Sequence, residues 1–197
     1  MDGPGEGSRI RLFVALGLPA CVLEALISWQ RSSVSPLAGV RAIAPDALHV
    51  TLCFLGTREV AEVDGIARAC SVLAGASVAD LRLGSPVWLP STRRPQVLAV
   101  HVIDALDAAL GDAQAKLARS LAAIGAYEPE RRGFLPHVSV GRVRRGTTVA
   151  TAGGGRPALE PPPAVRFDGS RVTLFRSWLG NGPARYEALH SVLLGPS

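Results

Sequence analysis

Lysine is almost missing from this chain of 197 residues: Lys116 stands alone against 20 arginines. The formal net charge of +5 is therefore carried by guanidinium groups, whose fork grips phosphate bidentately where an ammonium cannot. A GC-rich genome, which also inflates Ala, Gly and Pro, produces the same bias, so the excess permits a nucleic-acid partner without requiring one. Cysteine is equally scarce. Cys21, Cys53 and Cys70 show no Cys-x-x-Cys spacing, which excludes a zinc knuckle and a disulfide framework, and their odd number suits a reducing cytoplasm. No apolar run reaches the roughly 20 residues that a membrane-spanning helix needs. Leu18-Pro19-Ala20-Cys21 has the outline of a lipoprotein cleavage box. The apolar segment before it is short, however, reads as a strand, and has Pro19 inside the box. The expectation is a cytoplasmic protein with no membrane partner.

What is present is apolar: 48% hydrophobic against 19% charged residues, the balance of a globular chain. Residues 1–8, Met-Asp-Gly-Pro-Gly-Glu-Gly-Ser, read as a disordered lead-in, and 9–195 as one domain built from two lobes. Ile10 to Leu16 forms a strand, and Pro19 opens a helix with Val22, Leu23, Leu26 and Ile27 on its apolar face up to about Gln30. A strand over Leu48–Leu55 is closed by Gly56, and a helix follows from Val60 to Leu73. Strands near 78–89 and 96–103 flank the loop Pro90 to Pro95. A helix from Ala105 to Ile124 is stopped by Gly125. A strand over His137–Val143 precedes a Gly/Pro-rich stretch, 146–163, which reads as a mobile loop. Strands near 170–178 and 185–194 close the chain around the turn Gly180-Asn181-Gly182-Pro183. Strands and helices mix without strict βαβ alternation, which places the chain in the α+β class.

Two strings carry the chemistry. His49-Val50-Thr51-Leu52 and His137-Val138-Ser139-Val140 each place a hydroxyl two residues after a histidine. In a strand, residues i and i+2 share a face, so His49 projects with Thr51 and His137 with Ser139. If the two strands face one another, two imidazoles and two hydroxyls converge. The 88 residues between the motifs and their similar surroundings suggest an internal duplication. Histidine gives or takes a proton near neutrality, so a pair supplies both acid and base for opening a cyclic phosphate. Hydroxyls can donate to the phosphate oxygens as charge builds. One His-x-Thr alone arises easily by chance; two in strand-like alternation are far more specific.

The chain resembles the two-histidine (2H) phosphoesterases, in the branch of RNA 2′,3′-cyclic phosphodiesterases also called 2′-5′ RNA ligases. The matching segments are Arg11-Leu12-Phe13-Val14-Ala15-Leu16, Leu48-His49-Val50-Thr51-Leu52-Cys53-Phe54-Leu55-Gly56, Arg93-Arg94-Pro95, Phe134-Leu135-Pro136-His137-Val138-Ser139-Val140-Gly141-Arg142 and Val172-Thr173-Leu174-Phe175-Arg176-Ser177. They run from about residue 9 to 194. The resemblance implies two antiparallel sheets around a central cleft, helices packed outside, and metal-independent opening of a 2′,3′-cyclic phosphate to a 2′-phosphate. It implies His49 as the acid that protonates O3′, His137 as the base that activates water, and Thr51 and Ser139 as holders of the phosphate. Ser139 stands where the family often has threonine. Arg142 matches an arginine that approaches the phosphate, although strict alternation puts it on the face opposite His137 unless the strand bends at Gly141. Phe13 matches an aromatic that lies against base or ribose, and Arg93 and Arg94 sit in a loop able to reach RNA.

The partners so implied are RNA with 2′,3′-cyclic phosphate ends, or cyclic nucleotides, acted on by a monomer with no cofactor. No third metal ligand lies at sensible spacing from His49 or His137. His101 and His190 lack the following hydroxyl and read as structural, and Cys53, sharing the His49 face by period two, reads as buried beside the site. Run backwards, the same site joins a cyclic phosphate to a 5′-hydroxyl. Two alternatives fit the same residues: a non-catalytic RNA- or nucleotide-binding module, and an enzyme for a small cyclic phosphate such as ADP-ribose 1″,2″-cyclic phosphate.

Overall fold

Apolar runs become strands here wherever a neighbouring strand can take up their backbone hydrogen bonds. The computed structural model describes residues 8–104, 108–129, 132–147, 149, 157–178 and 184–195. Its strands are β1 (Arg9–Leu16), β2 (Val40–Ala42), β3 (Val50–Glu59), β4 (Leu81–Leu89), β5 (Val97–Asp104), β6 (His137–Val143), β7 (Arg166–Phe167), β8 (Arg171–Trp178) and β9 (Arg185–Leu193). The helices are α1 (Ala20–Trp29), α2 (Val63–Cys70) and α3 (Ala109–Ala123). Among the described residues, no helix is long and apolar enough to cross a membrane.

All pairings are antiparallel. One array runs β3-β1-β8-β9, the other β7-β4-β5-β6 with β2 added to β6, and the two join into a single curled sheet at β3 and β6. That junction is one residue pair wide, Val50 opposite Val138. Two cavities lined by residues of both strands meet beside it and form a cleft. Val50 and Val138 are fully buried in the core, together with Leu12, Leu16, Leu98, Leu117 and Leu174.

The expected elements are present, with physically instructive differences at their ends. Gly56 does not close β3. At φ +71° it sits in an irregularity that leaves Leu55 without a partner on β1, and the strand continues to Glu59. A capping box between Glu59 and Glu62 starts the turn that leads into α2. Gly125, at φ +70°, does stop α3, and its N–H and that of Ala126 satisfy the carbonyls of Ala122 and Leu121. α1 does not end at Gln30 but runs on as a five-residue π turn, Gln30–Val34. Ser8, placed by the sequence in the disordered lead-in, accepts a hydrogen bond from Val60 N–H, while residues 1–7 lie outside the described residues. Of the Gly/Pro-rich stretch, Gly153-Gly154-Gly155 lies outside them too, but Glu160 is tied down by Trp29 Nε1–H at 2.9 Å. The turn Gly180 to Pro183 also falls outside the described residues.

Candidate active site

Because Val50 and Val138 point into the core, the residues on either side of each must point the other way. His49, Thr51, His137 and Ser139 therefore all face the cleft. The antiparallel register sets Thr51 toward His137 and His49 toward Ser139, with the histidines on the diagonal. Across such a pair, diagonal neighbours are typically about 7–8 Å apart. That spacing leaves room for one phosphate between two imidazoles.

The rings are anchored alike. His137 Nδ1–H donates to the carbonyl of Leu135, two residues back, at 2.7 Å, which leaves Nε2 for the cleft. His49 Nε2 lies 3.1 Å from Thr51 Oγ1, and the ring also hydrogen-bonds the backbone of Ala47, again two residues back. His49 lies against Phe13, whose centroid is 4.9 Å away, with Tyr186 edge-on at 5.5 Å. Burial lowers its pKa from 6.5 to about 4; the Ala47 hydrogen bond opposes the change, and the charges of His137 and Arg142 add to it. The unliganded ring is thus neutral at pH 7.

Two cavities meet at this point. One, of about 410 Å³, contains His49, Arg11, Arg41, Arg142 and Tyr186 in its wall. The other, of about 680 Å³, is lined by His137 with Leu52, Tyr127, Phe134 and Leu135. Thr51, Phe54 and Ser139 belong to both walls and form the ridge between them. The hydroxyls thus stand at the ridge, with one imidazole on each side.

No protein-family model matches the chain. The RNA 2′,3′-cyclic phosphodiesterase of Escherichia coli strain K12 is 29% identical over 198 residues, 91% of this chain and 93% of that protein. The crystal structure of E. coli LigT complexed with 3′-AMP matches with a TM-score of 0.75 and 25% identity, covering 95% of this chain and 99% of that one. TT0787 of Thermus thermophilus matches in fold with a TM-score of 0.78 at 24% identity, over 95% of this chain and 100% of its own. In sequence and fold the chain is similar to these RNA 2′,3′-cyclic phosphodiesterase and LigT proteins.

In this chain the remaining expected residues divide. Arg142 reaches the His49 cavity because Val140 has no partner on β5: Gly141 pairs with Leu98 and Ser139 with Ala99. The extra residue brings Arg142 back to the Ser139 face, the bend that Gly141 foreshadows. Phe13 is only 4% exposed and supports the His49 ring. Arg93 and Arg94 lie in the exposed turn between β4 and β5, and neither lines either cavity.

Cys53 is buried as expected, but the same kind of irregularity takes it off the His49 face. Thr51 pairs with Ala15 and Cys53 with Val14, so Leu52 is the extra residue. Leu52 and Cys53 are both buried, Leu52 in the wall of the His137 cavity, and Phe54 takes the exposed place on the cleft face. Phe54, 42% exposed with the Arg11 guanidinium 4.5 Å from its ring centroid, is a cleft residue the sequence reading missed. Tyr186, Gln114 and Phe134 were missed as well; the three successive apolar residues after Thr51 were the available signal for Phe54. His101 pairs in register with His137, and its Nε2 is buried without a hydrogen-bond partner among the described residues.

Proposed function

We propose that this protein opens RNA 2′,3′-cyclic phosphate ends to 2′-phosphates by proton transfer between His49 and His137, without a metal. The observation that carries this reading is the Val50–Val138 pair, which brings two histidine–hydroxyl sets to one cleft. The phosphate lies on the ridge, where Thr51 and Ser139 donate to its non-bridging oxygens and Arg142 adds a charge-assisted contact. His137, with Nδ1–H committed to Leu135, offers Nε2 to a water. His49 Nε2 faces the leaving O3′. As the water oxygen bonds to phosphorus, its proton passes to His137, the P–O3′ bond breaks, and His49 delivers a proton to O3′. His49 must first acquire that proton. The anionic phosphate supplies the reason: its charge offsets those of Arg142 and His137 and raises a pKa that burial holds near 4.

The larger cavity favours a second use of the same site. Its wall around His137 is mainly apolar and far larger than a water requires. A nucleoside 5′-hydroxyl held there takes the place of water, and the product is a 2′-5′ linkage.

The test is hydrolysis of adenosine 2′,3′-cyclic phosphate in EDTA, with the product resolved as 2′- or 3′-AMP. Wild type gives 2′-AMP, and His49→Ala and His137→Ala each lose about 10²–10⁴ in kcat. Thr51→Ala and Ser139→Ala lose less, about tenfold to a hundredfold, since one neutral donor disappears. A histidine variant with wild-type turnover refutes the proton-transfer pair, and a protein that binds the nucleotide without turnover is a binding module.

A further inference from the structure

One polar group in the larger cavity has an orientation fixed by its partner. Leu52, the residue of β3 without a partner on β1, turns its carbonyl toward α3 and accepts a hydrogen bond from Gln114 Nε2 at 3.3 Å. The same nitrogen lies 3.9 Å from Cys53 Sγ. A carbonyl can only accept, so the nitrogen end of the amide must face β3. The oxygen end, Oε1, is left for the cavity that Gln114 lines, and it accepts no hydrogen bond among the described residues. Satisfying the Leu52 carbonyl needs a donor alone; the glutamine adds an acceptor.

The walls around that oxygen suit a flat ring. Ala115 and Ala118 share with Gln114 the face of α3 that lines the cavity, and their small side chains leave it open. Phe54, in the ridge, is 42% exposed. Arg11 covers one face of its ring and lines only the smaller cavity, which leaves the other face toward the larger one. At about 680 Å³ this cavity is within the size that holds small ligands, roughly 300–1,000 Å³. An aromatic ring beside an oriented acceptor is equipment for a nucleobase: any base stacks, and the acceptor tells one base edge from another. Adenine and cytosine offer an exocyclic amino group to such an acceptor, whereas uracil offers a carbonyl oxygen, which it repels. The proposed reaction says which nucleoside this is. O3′ leaves toward His49, so the nucleoside bearing the cyclic phosphate lies on the side of the smaller cavity. The larger one, with His137 in its wall, is left to the nucleoside that brings the 5′-hydroxyl.

We propose that the larger cavity is a base-selective subsite, in which the base of the incoming 5′-hydroxyl nucleoside stacks on Phe54 and Gln114 Oε1 selects adenine and cytosine over uracil. The inference rests on the second use of the site proposed above. It narrows the acceptor from any 5′-hydroxyl end to one whose first base carries an exocyclic amino group.

The experiment is titration calorimetry on the full chain, saturated with 2′-AMP to fill the ridge and the smaller cavity. The titrants are four free nucleosides: adenosine, purine riboside (adenosine without its amino group), cytidine and uridine. Adenosine is expected to bind about threefold to tenfold more tightly than purine riboside, the effect of one neutral hydrogen bond. Cytidine should exceed uridine by about tenfold or more, because uridine also sets an oxygen against the acceptor. Gln114→Met keeps the length of the side chain, removes the acceptor and abolishes both preferences. A glutamine that only supported β3 would instead weaken all four nucleosides alike. If that variant unfolds, Ala115→Leu, at a partly exposed position of α3 that tolerates a good helix former, narrows the cavity and weakens all four by about tenfold. Equal affinities within each pair in wild type, preferences that survive Gln114→Met, or binding unchanged by Ala115→Leu overturn the base subsite and leave the hydrolysis standing. A wild type that does not hydrolyse adenosine 2′,3′-cyclic phosphate overturns the proposed function, whatever the titrations show.

Discussion

The lowered pKa of His49 makes the stability of the protein depend on pH in a way that one substitution exposes. The folded ring titrates near 4, whereas an unfolded histidine titrates near 6.5. Above pH 6.5 the ring is neutral in both states and contributes no pH dependence. Between 6.5 and 4 the unfolded chain binds a proton that the folded protein refuses, so stability falls as pH falls through this window. At ~1.4 kcal/mol per pH unit the full difference is about 3 kcal/mol. Partial access of the ring to solvent brings the expected loss to roughly 2 kcal/mol. His49→Gln keeps a polar side chain beside Thr51 and removes the titration. Urea unfolding of both proteins from pH 8 to pH 4 should give free energies separated by a constant above pH 7. Below it they converge, as wild type loses about 2 kcal/mol relative to the variant. All other ionisable groups are common to both proteins and cancel in the difference. Saturating 2′-AMP should flatten the wild-type slope, because the bound anion brings the proton onto His49. Parallel curves down to pH 4 would refute the buried neutral ring, as would a His49 NMR titration centred near 6.5 without ligand.

Two further outcomes test the surroundings of the site. Gly141→Ala forces a Cβ to within 2.7 Å of Val40 Cγ1 and 3.2 Å of Val34 Cγ1, beside the pairing of β2 with β6. It should cost about 1–3 kcal/mol in urea unfolding and raise KM for the cyclic phosphate, and an unchanged KM with normal stability would show that the close approach does not aim Arg142. Burial pushes the Cys70 thiol up to about 12, and Cys53 is buried as well, whereas Cys21 is exposed. Iodoacetamide at about pH 8 should therefore add one label per native chain, found by peptide mass mapping at Cys21, with Cys53 and Cys70 reacting only after unfolding.

How much of this was legible in the sequence follows from how local each signal is. The period-two alternation that pairs His49 with Thr51 and His137 with Ser139 lies within three residues, and the structure keeps it at both places. Helix ends marked by a residue with one stereochemical use, such as Gly125, were equally readable. Phe54 and Tyr186 were not. Whether Phe54 faces the cleft depends on Leu52 having no partner on β1, which is a property of two strands and not of one. Nor does the sequence announce that Gln30 spans two strands, because its acceptors lie 13 and 110 residues away.

These irregularities are also distributed in a way that the chemistry demands. A one-residue slip turns every following side chain to the opposite face. Within 49–51 and 137–139 such a slip would send an imidazole or a hydroxyl into the core, and neither stretch contains one. The extra residues fall just beyond, at Leu52 and Leu55 in one strand and at Val140 in the other. There they rotate Phe54 and Arg142 onto the cleft face without disturbing the two histidines proposed to bracket a phosphate. Groups that transfer protons need fixed positions to within a fraction of an ångström. Those that supply bulk or charge tolerate the looser placement that a bulge provides. The two motif strands are therefore most regular where proton transfer is proposed and irregular where contact with the rest of the substrate begins.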